Sequence, residues 1–309
     1  MEAKEQIRKK ALDIGFDAAG FANAGPVDED TARHYREWLS RGNHASMGYM
    51  QDHIDARLDP RHLLPEAQTV IVLLSNHYRE NPTQSLPTGK IARYAGGRDY
   101  HKVVGKALLR LSRWIEETFS GAKTWHEVDT GPVLERYWAQ EAGLGWNGKN
   151  TLLINTHYGS WTFLGVILTS LELPPDSAHP DHCGKCTRCL EACPTQAFPA
   201  PGILDSNRCI SYWTIEHRGE FPAGIGDSLN GWIFGCDECQ MVCPWNRHSK
   251  ETSHPEFHLY NSLKYPNPAI WAAMSREEWD QRTRGTALRR AGYEGLTRNC
   301  QAVLTMTAP

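Results

Sequence analysis

The chain has no apolar run long enough to cross a bilayer. Its longest, WTFLGVILTSL (161–171), is too short and too polar. It has no positive excess either. The 33 Lys and Arg are offset by 36 Asp and Glu, for a net charge of -3, so no global positive field announces a nucleic-acid partner. That balance still leaves room for a local basic face. The N-terminal MEAKEQIRKK lacks the apolar stretch of a signal peptide, and a cytoplasmic protein without membrane attachment is expected. Fixed-period repeats and low-complexity tracts are missing too. What remains is ordinary for a soluble globular protein: 309 residues, 40% hydrophobic and 22% charged, enough for roughly two domains.

Cysteine is the exception to this plainness. A reducing cytosol disfavours disulfides, yet eight of the nine cysteines fall between 183 and 243. The ninth, Cys300, is isolated and reads as a small buried hydrophobe. Cys183, Cys186, Cys189 and Cys193 form C-x2-C-x2-C-x3-C-P. Three thiolates at this spacing wrap one [4Fe–4S] cube, and the fourth, before proline, ligates the other cluster of a two-cluster module. A second knot, Cys236, Cys239 and Cys243 before Pro244, lacks its first member, which Cys209 can supply. The count then closes, with Cys183, Cys186, Cys189 and Cys243 on one cluster and Cys209, Cys236, Cys239 and Cys193 on the other. Structural zinc is the rival reading, but zinc ribbons favour C-x2-C pairs separated by a spacer. Two neighbouring clusters make a short internal path for electrons.

The first 173 residues alternate helix-like and strand-like segments. Ile7, Ala11 and Ile14 share a helical face ahead of Gly15. TVIVLLSNH (69–77) reads as a buried strand. Residues 99–119 place Val104, Ala107, Leu108, Leu111, Trp114 and Ile115 at helical spacing. The strand WHEVD precedes a helix opened by Pro132 and closed by Gly143, and TLLIN and TFLGVILTSL are further strands. The expected fold class is α/β (α+β), one sheet with mixed strand directions over residues 1–173. A ferredoxin-like double [4Fe–4S] domain over 174–250 and a helical C-terminal segment over 251–309 follow.

Several motifs fail on context. GLGWNG (143–148) matches the dinucleotide fingerprint but follows a helix and precedes a strand, the reverse of what that fingerprint needs. DTG (129–131) has no second copy to make a protease dyad. GDSL (226–229) lies among the cysteines, where no strand-to-helix elbow exposes Ser228. DYHKVVG (99–105) is one residue too long for the D-x-H-x-x-G cobalt-histidine signature, so His101 reads as an ordinary helix residue.

YMQDHIDARLDPRHLLPEAQTVIVLL, ARYAGGRDYH, VDTGPVLER, AGLGWNGKNTLLI with GSWTFLG, CISYWTIEHRG and CDECQMVCPWN together resemble the epoxyqueuosine reductase family. These are iron–sulfur and cobalamin enzymes that finish queuosine at the tRNA wobble position. The resemblance implies a cobalamin without a protein histidine beneath the cobalt. It implies Asp129 as proton donor, and segments carrying Arg57, Ser211 and Asp237, with Lys149, Asn150 and Ser160, against the corrin. It implies a tRNA carrying epoxyqueuosine as substrate and an electron donor that the chain does not name; a monomer is expected. Many members continue into a helical-repeat extension, whereas this chain ends at Pro309 and resembles the short form. In the family's GW-x-GKN segment the variable position is Asn147 here, a change that could alter the corrin pocket.

The chemistry is consistent on its own terms: taking the oxygen from an epoxide to leave an alkene requires two electrons and protons, and a carboxylic acid can protonate the departing oxygen. Two other classes compete, a cobalamin-dependent reductive dehalogenase and a plain two-cluster electron carrier. Between Gln281 and Cys300, Arg282, Arg284, Arg289, Arg290 and Arg298 face one acid, Glu294, and this imbalance nominates Arg289 and Arg290 as contacts to the tRNA backbone. Leu288 should turn inward and leave those two arginines near the surface.

The crossed ligand scheme makes a sharp prediction. Cys193→Ala should damage the cluster of Cys209, Cys236 and Cys239, although Cys193 belongs to the first knot. Spectroscopy finding the first-knot cluster lost and the other intact would overturn the scheme.

Overall fold

The computed structural model describes residues 2–80 and 89–306. Its centre is a four-stranded sheet of β1 (Ala18–Asn23), β2 (Thr69–Asn76), β3 (Thr124–Glu127) and β4 (Thr162–Thr169), ordered β1-β2-β4-β3. Every neighbouring pair is antiparallel. The expectation of mixed strand directions is therefore corrected. β2 and β3 do run the same way, but β4 is inserted between them, so the crossover joining them creates no parallel pair.

All eight residues of β2 are buried because both sheet faces are covered. Ile71 and Leu73 point to one face, beneath α1 (Glu2–Ile14) and α2 (Tyr100–Thr118); Val70, Val72 and Leu74 point to the other. α2 buries Val104, Leu108, Leu111 and Ile115, each worth about 1.5–3 kcal/mol when fully removed from water. Gly165 on β4 makes this close approach possible, since a Cβ there would stand 2.8 Å from Leu108. On the other face α3 (Glu135–Glu141) lies directly on β1. A Cβ on Gly20 would meet the Ala142 carbonyl oxygen at 2.2 Å. α3 starts three residues later than Pro132 suggests, after a loop in which Asp129 takes a positive φ of 61°.

Beyond the sheet, two ribbons carry the site. Trp146–Asn147 pairs antiparallel with Leu153–Ile154, and Lys90–Ile91 pairs parallel with Trp232–Phe234. One hydrophobic cluster joins Ile91, Trp213 and Phe234 to Trp271, Leu288 and Val303. The C-terminal elements α4 (Arg276–Thr283) and α5 (Gly292–Met306) thus share a core with the cysteine-rich region across residue 250. Between them Gly285 has φ 76° and 287–291 forms a short 3-10 turn, so the arginines do not sit on one unbroken helix. Among the described residues no helix is long and apolar enough to cross a membrane.

Candidate functional site

The eight clustered cysteines come together in two groups drawn from both knots. Cys183, Cys186, Cys189 and Cys243 line one cavity, together with Lys149, Asn150 and Trp245. In the other group Cys209 feels the charge of Cys193, Cys236 that of Cys209 and Cys239, and Cys239 that of Cys209 and Cys193. Cys239 also feels Cys189, which puts the two groups side by side. Burial drives the thiols of Cys236 and Cys239 far up, and those of Cys189, Cys209 and Cys243 up as well. Thiolates in such surroundings call for bound metal. No group of three or more His, Cys, Asp or Glu among the described residues is placed to hold a lone ion. Four thiols spread round a cavity instead suit a polyatomic cluster. Nearby donors fit it: Trp146 Nε1 reaches Cys183 Sγ at 3.4 Å, Ala197 N–H reaches Cys193 Sγ at 3.3 Å, and the buried amide Nδ2 of Asn150 has no protein partner.

The acid site lies where β3 gives way to α3. Asp129 Oδ2 accepts hydrogen bonds from Tyr100 Oη at 2.6 Å and His101 Nε2 at 3.1 Å, and His101 Nδ1 is 2.7 Å from Asp99 Oδ1. The N-cap of α2 builds this arrangement, since Asp99 accepts from the His101 backbone N–H and so aims the next turn at Asp129. Both imidazole nitrogens are engaged. Burial alone raises the Asp129 carboxyl, but the bonds from His101 and Tyr100 outweigh it and hold it below the usual range. Partial burial disfavours charge on His101, yet its two carboxylate partners push it up to about 9. Glu135 accepts the Asp129 backbone N–H at 2.9 Å, and burial with the Asp129 charge pushes it up to about 8. Tyr100, His101 and Glu135 were not legible as site residues. The failed cobalt-histidine match at 99–105 was in fact marking this helix start.

A second polar cluster faces the cysteines. Arg93 lies 4.7 Å over the Trp161 ring and its backbone N–H reaches Asp237 at 2.8 Å; Arg79 Nη1 donates to the Arg93 carbonyl. Arg79 Nε, Trp161 Nε1 and His77 Nδ1 are buried without partners. Burial and Arg79 drive His77 down to about 3, leaving it neutral. Such a dry, cationic patch suits a ligand rich in amide oxygens or phosphate, both of which cobalamin carries. Tyr94 packs edge-on against Tyr100 at 6.0 Å and feels both Asp129 and Asp237, so this patch and the acid site are neighbours.

The residues nominated against the corrin are held as follows. Arg57 donates to the carbonyls of Tyr49 and Asp52. Lys149 donates to those of Gly184 and Cys186, beside the cluster cavity. Ser160 bonds Gln240 and Asn246; Ser211 bonds the Cys209 thiol; Asp237 is buried and raised to about 6 by that burial. Asn147 is exposed, bonded to Gln140.

Four of the five arginines find polar partners on folding, and Arg282 lies over the Trp271 ring at 5.6 Å. Arg289 and Arg284 pair with Asp280, at 2.7 and 2.9 Å, and Arg290 makes two bonds to Glu216, at 2.9 and 2.8 Å. Arg276 pairs with Glu294. Arg298 is buried, donating to the carbonyls of Trp213 and Gly219. Acids outside the 281–300 window were invisible to the local count. Arg290 also packs on Tyr49, at 5.7 Å, and Tyr49 feels Asp129. Arg290 therefore lies on the same side of the molecule as the acid site.

Two groups of four thiols define an iron–sulfur protein, and a family model described as a 4Fe-4S double cluster binding domain matches residues 182–246. A second model, for epoxyqueuosine reductase QueG (DUF1730), matches 57–130. An epoxyqueuosine reductase of Synechocystis is 45% identical over 280 residues, spanning 90% of this chain and 96% of the relative. The chain belongs to the epoxyqueuosine reductase family. A crystal structure of an epoxyqueuosine reductase with an epoxyqueuosine-modified tRNA-Tyr stem loop superposes with a TM-score of 0.92 at 29% identity, covering 99% of this chain and 81% of that one. A reductive dehalogenase at 16% identity, with a TM-score of 0.50 over 96% of this chain and 37% of its own, shares the fold alone.

His101 and Glu135 both hold their protons more tightly folded than unfolded, so stability should fall as pH rises. The contribution of His101 is complete below about pH 6.5 and lost through about pH 9. NMR should find the His101 ring titrating near 9, and distinctly lower in Asp129→Asn. An unshifted ring would remove the pairing.

Proposed function

We propose that this protein reduces epoxyqueuosine in tRNA to queuosine, with Asp129 as the acid that protonates the departing epoxide oxygen. The observation that carries it is the Asp99–His101–Asp129 hydrogen-bond chain, which ends on a carboxylate open to solvent. A plain electron carrier has no use for such a proton path. Cys183, Cys186, Cys189 and Cys243 would hold one [4Fe–4S] cluster, and Cys193, Cys209, Cys236 and Cys239 the other. Arg79, Arg93 and Trp161 would hold a cobalamin, which supplies low-valent cobalt as the electron source when the clusters recharge it.

The reaction takes two electrons and two protons, breaks both carbon–oxygen bonds of the epoxide, and yields an alkene and water. At neutral pH the His101 imidazole is charged and Asp129 ionised. A proton passes from His101 Nε2 to Asp129 Oδ2, and the carboxyl delivers a proton to the epoxide oxygen. Asp99 stabilises the imidazolium, Tyr100 orients the carboxylate, and protonated Glu135 spares the site a second negative charge. Both imidazole nitrogens of His101 are occupied, which leaves that residue none to offer a cobalt. Arg290, on the side of the acid site, and Arg289 exchange Glu216 and Asp280 for phosphates of the anticodon loop, which positions the modified base for extrusion.

Anaerobically purified protein should carry cobalamin and two clusters' worth of iron, and convert an epoxyqueuosine stem loop to queuosine. Asp129→Asn should slow single-turnover reduction by about 10²–10⁴-fold with cofactor content and tRNA affinity retained. Near-normal turnover would remove Asp129 from the proton path. Changing Arg289 and Arg290 to Ala should weaken tRNA binding and flatten its salt dependence by up to about two phosphate contacts, while Glu216→Gln should tighten it. Affinity and slope unmoved in the double variant would take both arginines off the RNA.

A further inference from the structure

The ribbon pairing Trp146–Asn147 with Leu153–Ile154 is closed by the loop 148–152, which packs against the first cysteine knot. Lys149 ties it there through the carbonyls of Gly184 and Cys186, and its own carbonyl accepts the Gly202 N–H at 2.9 Å. Gly148 has no room for a side chain, since a Cβ would lie 2.5 Å from Ile154 Cδ1 and 2.7 Å from Asn150 Oδ1. Asn150 is therefore held firmly. Its residue exposure is 3%, and it lines the cavity of Cys183, Cys186, Cys189 and Cys243.

The orientation of the amide follows from its neighbours. Oδ1 accepts the Leu152 N–H at 3.4 Å, and a flipped amide would set two donors against each other there. Nδ2 is then left buried with no acceptor from the protein. A buried amide donor is costly unless something accepts from it. The carbonyls of the adjoining knot at Gly184 and Cys186 already receive the Lys149 ammonium, and the side-chain acceptors that line this cavity are the four cysteine sulfurs and the His182 ring.

We propose that the Asn150 side-chain amide donates a hydrogen bond to a sulfide or thiolate of the cluster held by Cys183, Cys186, Cys189 and Cys243, and so raises the reduction potential of that cluster. An added electron increases the negative charge on the sulfur, so a fixed N–H stabilises the reduced form more than the oxidised one. This assigns Asn150 to the cluster rather than to the corrin, and it rests on the reading that this cavity holds a cluster.

The test is an anaerobic redox titration followed by EPR, on wild type and Asn150→Leu, with iron and sulfide measured in both. One of the two cluster potentials should fall, making the reduction equilibrium about tenfold less favourable, or about 59 mV for one electron. The other should stay in place. Pulsed EPR of wild type carrying asparagine labelled with ¹⁵N only at the side-chain amide should find a coupling to one reduced cluster; the label spares the Asn246 backbone N–H that bonds Cys243, and it keeps the proposal open to refutation if the variant folds poorly. Full iron with neither a potential shift nor an asparagine coupling overturns the role of Asn150 and leaves the cluster reading standing. Wild type with iron for one cluster, unaffected by Cys243→Ser, overturns the cluster reading and the proposal with it.

Discussion

Sulfur buried this deeply cannot stay anionic unaided, and the rest of the architecture depends on how that is met. Burial pushes the Cys236 and Cys239 thiols far up, so thiolate character has to come from bound metal and from N–H donors aimed at sulfur. Two groups of thiols, each drawn from both knots, bring residues 183–193 against 209–243. Around that junction the ribbons, the loop with Lys149 and Asn150, and the C-terminal helices find their places. Bonds to metal stand in for part of the hydrophobic core in a stretch poor in periodic apolar residues.

The acid site works by a different balance. Four ionisable groups lie within hydrogen-bond reach of one another, and their neighbours divide the charges among them. Asp129 and Asp99 share the positive imidazole between them, while Glu135, partly buried and beside Asp129, is left mostly neutral near pH 7. On the proposed function, the proton is thereby stored one hydrogen bond behind the carboxylate that would face the substrate. Such a store allows an acid with a lowered pKa to serve as a donor near neutrality.

Local chemistry was legible in the sequence, and long-range pairing was not. The cysteine spacings and the apolar spacings of α1, α2 and β2 all follow from short-range rules, and the folded chain honours them. Strand order does not follow from such rules, because nothing local to 124–127 or 162–169 records that β4 comes between β2 and β3. The arginines make the same point. A window count found five against one, yet the partners Asp280 and Glu216 lie outside the window, and Arg298 is spent on backbone carbonyls. His101 was dismissed on a motif that demanded a cobalt ligand, when its partner was a carboxylate 28 residues away.

The insertion of β4 also orders events during synthesis. β2 pairs with β1 on one side, but its other edge has no partner until residues 162–169 have left the ribosome. For some ninety residues of elongation that edge, an unbroken run of aliphatic side chains, is open to any strand it meets. The same late strand must also capture β3. Sheet completion thus falls due just before the first cysteine emerges, and a nascent chain stalled in that interval would carry an adhesive edge and no sulfur with which to bind iron.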